Sequence, residues 1–192
     1  MKALMTQNVT DKIIDAGLAC AGARSWLYVS LGDIAQSANM DLASLRSAID
    51  DKFDVIKLIH GRLDELMLSD VAQTASTTDM NQIKDRIFDI IMARFDAMND
   101  HRAAYLSILE GIKQDPTTWA RVACLGRETT RWVLSASGYD TSRPMRHKLA
   151  ITLLSVVYLN SVRAWQNDDS ADMSATMASL DKGLDKVITY IS

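Results

Sequence analysis

Along this chain apolar residues recur at intervals of three and four, the period of a helix that buries one face. The first stripe is Ile13, Ile14, Ala16, Gly17, Leu18, Cys20 and Ala21. It predicts a helix from Asp11 to about Arg24, weakened or ended by Gly22. Ser25 to Val29 leads into two short segments, and Trp26 is expected to pack that region together. Leu31, Ile34, Ala35 and Ala38 give one face of the first segment, while Leu42, Leu45 and Ile49 give the inward side of the second. A longer stripe through Val55, Ile56, Leu58, Ile59, Leu63, Leu66 and Met67 predicts a helix over 52–72. Thr74 to Thr78 is polar and aperiodic, so it reads as a linker. The helical pattern then resumes over 81–98, 101–114, 116–137, 144–166 and 170–190. An all-α fold of about nine helices is expected.

The polar residues between stripes fix where elements begin. Ser30 with Asp33 three residues on is a capping pair for the 31–38 helix. Asn39 sits where the chain must turn sharply, and asparagine tolerates a left-handed backbone better than other non-glycine residues. Asp41 caps the following helix, and Asp50 or Asp51 caps the one that Lys52 opens. Helix, four-residue turn, helix is the plan in which the second helix enters the DNA major groove. The division expected is therefore a head over 1–51 and a body over 52–192.

Farther along, Asp100 is expected to cap the 101–114 helix, and Asp115-Pro116 to start the next. Gly138 is placed to end that helix. The segment 145–165 is apolar on nearly every side, and one domain of this size covers two or three sides of such a helix. A homodimer through residues 144–190 would cover the rest.

Composition narrows the chemistry. With 192 residues and 48% hydrophobic content the chain has ample core for one medium domain or a small domain on a larger one. Its net charge of −3 does not advertise nucleic-acid binding. In residues 1–60 the cations Lys2, Lys12, Arg24, Arg46, Lys52 and Lys57 are outnumbered by Asp11, Asp15, Asp33, Asp41, Asp50, Asp51 and Asp54. Cys20 and Cys124 stand in apolar helical settings and read as buried free thiols. His60, His101 and His147 are isolated, with no second ligand at metal spacing, and no glycine-rich phosphate loop occurs. Asp168-Asp169-Ser170-Ala171-Asp172 lacks the glycine and terminal glutamate of a calcium loop, so capping is its expected role. These absences leave no catalytic residues, metal or cofactor to assign. There is no signal peptide and no run long enough to span a bilayer, so a cytoplasmic protein is expected.

Ile34-Ala35, Ala38, Met40, Leu45, Lys52 and Val55-Ile56 resemble the register of the TetR family of one-component regulators. This sequence departs from that pattern at four places. The turn glycine is Asn39, the recognition-helix aromatic is Arg46, the following phenylalanine is Ile49, and the opening polar residue is Leu42. The resemblance implies a regulator that binds operator DNA as a homodimer and is released by a small apolar ligand. Ser30, Leu42, Ser44, Arg46 and Lys52 would meet DNA, with Arg46 on bases and Lys52 on phosphate. Phe88, Met92, Phe95, Tyr105, Trp119 and Trp132 would wall the ligand pocket; plain core filling is the other reading of each.

A second resemblance points elsewhere. Asp85 to Met92, Arg94 to Met98 and His101-Arg102 look like a group of alphaproteobacterial TetR-like proteins. Leu149 to Leu184, with the Asp168–Asp172 cluster and Thr176-Met177, is similar to ubiquinone-biosynthesis accessory proteins. Those share the fold but bind lipids and isoprenoids instead of DNA, and carry a further membrane-touching helix that would follow Ser192. The alternative is thus a lipid-binding accessory protein that does not bind DNA.

Overall fold

A computed structural model describes residues 2–69 and 77–191, with side chains from residue 8 onward. Among the described residues there are nine α-helices, one short 3-10 turn and no strand. The helices are α1 (Lys2–Ala23), α2 (Leu31–Ser37), α3 (Leu42–Ala48), α4 (Lys52–Ser69), α5 (Met80–Asn99), α6 (Arg102–Lys113), α7 (Pro116–Ala136), α8 (Pro144–Gln166) and α9 (Ser174–Ile191). The 3-10 turn is Trp26–Tyr28. The all-α expectation holds, and most boundaries fall within two residues of those the pattern predicts.

Three starts differ. Helix α1 runs back to Lys2, because Lys2, Ala3, Leu4 and Met5 are good helix formers and no glycine or proline interrupts them. Asp100 does not cap α6; His101 takes that position without a side-chain cap bond. The last helix starts at Ser174 instead of near residue 170, after Met173 with a φ of 52°. Of the expected linker, residues 74–76 and the end of the predicted 52–72 helix lie outside the described residues.

The chain forms two compact units. One comprises Met1–Leu63 with Met98–Val122, and the other Asp64–Ala97 with Ala123–Ser192. The expected 1–51 head lies within the first unit, which also holds α6 and the start of α7. In that unit α1 packs on α2 and α6, burying Ile13, Ile14 and Leu18. Trp26 is its central side chain, 3% exposed. The Trp26 amide donates to Ser107 Oγ at 2.8 Å. Its carbonyl accepts from Lys52 Nζ, whose ammonium also stands 4.6 Å from the centre of the indole ring.

In the second unit α8 packs along α9, with Leu154, Leu180, Leu184 and Trp165 fully buried. Phe95 of α5 stacks near Tyr158 and Trp165, with ring centroids 6.2 and 6.4 Å away. Asp168 closes the α8–α9 corner. Its Oδ2 accepts from the Thr176 amide at 2.7 Å and the Thr176 hydroxyl at 2.8 Å, and Oδ1 accepts from Ser170. The acidic cluster therefore caps α9, and no group able to hold a metal ion occurs among the described residues.

Candidate nucleic-acid interface

The Ser30–Ile49 segment is built by its polar residues. The Ser30 hydroxyl accepts from the Asp33 amide at 3.2 Å, while the Asp33 carboxylate accepts from the Ser30 amide at 2.8 Å, a reciprocal capping box. Helix α2 then ends in a Schellman turn: the Met40 amide reaches Ala35 O at 2.9 Å and the Asn39 amide reaches Gln36 O at 3.1 Å. That turn needs a left-handed residue, and Asn39 supplies it with a φ of 51°. Asp41 opens α3 by accepting from the Ser44 amide at 2.7 Å. Asp51 and Asp54 form a further reciprocal cap at the start of α4. Ile34, Ala35 and Ala38 face inward from α2, and Leu45 and Ile49 from the α3 segment. Two short helices at a tight turn, the second open on its outer face, make a helix-turn-helix.

Solved structures match this architecture nearly end to end, among them the two that follow. A TetR transcriptional regulator from Nitrosomonas europaea ATCC 19718 superposes with a TM-score of 0.72 at 22% identity, covering 93% of this chain and 96% of that one. The fold is the TetR fold. A TetR transcriptional regulator from Rhodococcus sp. RHA1 gives a TM-score of 0.67 at 11% identity, with coverage of 94% and 96%. No protein-family model matches the sequence, and neither does any curated protein.

In a helix-turn-helix the helix placed to enter a major groove is the second, and α3 holds that position in the motif. Leu42 was expected inward on α3 as well as at DNA, and the inward placement is corrected: Leu42 is 60% exposed. The reason is its position at the first residue of a two-turn helix. Helical side chains lean toward the N-terminus, so Leu42 projects past the helix start instead of lying over a preceding turn. Ala43, Ser44, Arg46 and Ser47 are exposed beside it. Ser30 is exposed at the start of α2, within its capping box.

Several cations of this unit are engaged with their own chain. Arg46 donates to Asp50 four residues on, and to Ile49 O at 3.5 Å. Arg24 lies 2.5 Å from Asp33, Arg62 pairs with Asp11, and Arg121 of α7 sits 2.9 Å from Asp51 with its guanidinium over the Phe53 ring. Bonds from Arg24 and then Ser30 hold the Asp33 carboxyl far below the usual carboxylate range. Arg121 similarly lowers Asp51. Lys52, expected on phosphate, is half-buried with its ammonium spent on the Trp26 carbonyl and ring, and burial pulls its pKa down.

The six expected pocket residues divide between the units: Phe88, Met92, Phe95 and Trp132 in the second, Tyr105 and Trp119 in the first. Met92, Phe95 and Tyr105 are buried, Phe88 is half-buried, and Trp119 and Trp132 are 47% and 58% exposed. Cys124, expected buried, is exposed on α7, and Cys20 is half-buried with its thiol toward Asp33 O.

Sequence reasoning missed a buried polar cluster in the second unit. Arg94 is 1% exposed; its Nε donates to Tyr158 Oη at 2.8 Å and its NH1 to Asp64, which also accepts from Thr129 Oγ1 at 2.9 Å. The signal was readable, because Arg94 falls in the register of Ile87, Ile91 and Met98 on the inward stripe of α5.

Proposed function

We propose that this protein is a one-component transcriptional regulator of the TetR type, a repressor that binds operator DNA as a homodimer. The observation that carries this reading is the capped α2–turn–α3 unit whose second helix is open along its outer face. Ser30, Leu42, Ser44 and Arg46 then stand at the DNA, while Lys52 acts one step back by fixing the turn that precedes α2. Dimerisation follows from α8, where Met145, Leu149, Val156 and Leu159 form an exposed apolar stripe at helical spacing. A small apolar effector releasing the repressor would act on the second unit, entering among the half-buried Phe88 and the buried Met92 and Phe95, where the flexible methionine can adapt.

One observation favours the second reading, a lipid-binding accessory protein that does not bind DNA. Arg24, Arg46, Arg62 and Arg121 are each held by a carboxylate of the same unit. Phosphate binding gains its free energy from cations that displace condensed counterions, and paired cations contribute less. Titrating the protein with duplex DNA flanking its own gene, at several salt concentrations, separates the two. A regulator binds tightly at low salt and loses affinity linearly in log salt. Flat titrations at low salt would leave the accessory-protein reading standing.

A further inference from the structure

The chemistry exposed on α3 limits which bases it can recognise. In the major groove guanine is read by paired donors from arginine or lysine, adenine by the amide of asparagine or glutamine, and cytosine by a carboxylate accepting from its N4. Thymine alone among the four presents a methyl group, which an apolar side chain can contact. Helix α3 is Leu-Ala-Ser-Leu-Arg-Ser-Ala from Leu42 to Ala48. It carries no amide side chain for adenine and no carboxylate for cytosine. Its one guanidinium, Arg46, is already bonded to Asp50 and to Ile49 O. The most prominent remaining surface is carbon: Leu42 is 60% exposed, and Ala43 and Ala48 are exposed as well. Leu42 and Ala43 also occupy the first turn, the end of a recognition helix that reaches base edges.

We infer that Leu42 is the specificity-determining residue of this head and that it selects thymine through its C5-methyl group. The inference rests on the DNA-binding reading above and adds the base that is read. The contact requires no new cation and no break in the Arg46–Asp50 pair. Ala43 widens the apolar footprint along the groove, and the exposed Ser44 and Ser47 accommodate either base class. Specificity of this kind is compatible with an acidic protein, because it draws on apolar burial instead of charge.

The test is selection from duplexes with a randomised centre, followed by resynthesis of the winning sequence with uracil in place of thymine. Uracil differs only by the missing methyl. The wild type should enrich thymine at fixed positions and lose about fourfold in affinity for each contacted methyl removed. Leu42→Ala should lose most of the difference between thymine and uracil versions; because the residue is exposed, its melting temperature should match the wild type. Tight binding that ignores the uracil exchange would overturn the inference and leave the regulator reading intact. Undiminished discrimination in Leu42→Ala would overturn the role of this residue. If no duplex is enriched, the DNA-binding reading and this inference fall together.

Discussion

A methyl group built on Gly111 would stand 2.9 Å from Cδ1 of Trp26. That is well inside van der Waals contact, and the indole is buried and tied at its backbone on both sides. Gly111→Ala should therefore destabilise the protein by about 1–3 kcal/mol through overpacking. This would outweigh the roughly 1 kcal/mol that alanine gains over glycine inside a helix. Urea denaturation measures the balance; a midpoint equal to or above the wild type's would show that the ring yields freely.

The same geometry recurs between α9 and α8. A Cβ at Gly183 would lie 2.5 Å from Cγ1 of Val157. Gly183→Ala alone should lower stability by about 1–3 kcal/mol. Combined with Val157→Ala, it should cost less than the sum of the two single changes, since the clash disappears with the branched side chain. Strict additivity in a double-mutant cycle would rule out the steric explanation.

Lys52 provides a test of role. Lys52→Met keeps most of the aliphatic stem but removes the bond to the Trp26 carbonyl and the contact with the ring. A stability loss of about 1–2 kcal/mol is expected, from one charged hydrogen bond and one partly desolvated cation–π contact. A lysine whose function is to meet phosphate would leave thermal stability unchanged when replaced. Melting temperature, read without DNA, distinguishes them.

Acid sensitivity should trace to the α8–α9 corner. Hydrogen bonds from Ser170 and then Thr176 hold the Asp168 carboxyl far below its ordinary range. With the folded pKa below the unfolded one, the native state binds fewer protons in that interval, so stability rises with pH there. The contribution is complete above the ordinary aspartate value of about 3.9 and shrinks as pH falls through it. Asp168→Asn should be less stable at neutral pH and show a flatter decline in melting temperature below about pH 4. Parallel declines would show that other carboxylates govern the acid limb.

Replacing Val156 with Glu, on the exposed face of α8, should shift a dimer toward monomer without unfolding it. Val157 and Leu180 are unsuitable for this purpose, being 9% and 0% exposed within the α8–α9 packing. Sedimentation at micromolar concentration reads the outcome, and a monomeric wild type would defeat the dimer proposal.

The helices were legible because their stripes and caps are local. Ser30 with Asp33, Asn39, Asp41 and Asp51 each act within a few residues of themselves. Contacts between distant segments were not. Lys52 reads as a free cation at a helix start until Trp26 is brought beside it, and nothing near residue 52 in the chain announces that ring. Gly111 gave a partial signal, as a glycine inside an otherwise strong helix. Leu42 was ambiguous because hydrophobic spacing assigns a face but does not reveal that a first-turn residue leans past the helix end.

Trp26 draws its neighbours from three stretches of chain: its own turn, Lys52, and the Ser107–Gly111 face of α6. The helix-turn-helix segment is thus not a detachable cassette. A chimera that joins residues 1–51 to an unrelated body would leave the indole without its floor and its carbonyl without a donor. Exchange of binding heads between proteins of this shape would have to carry matching residues of α6 as well. Under the proposed function, operator preference can drift through outward residues of α3 such as Leu42, which is 60% exposed.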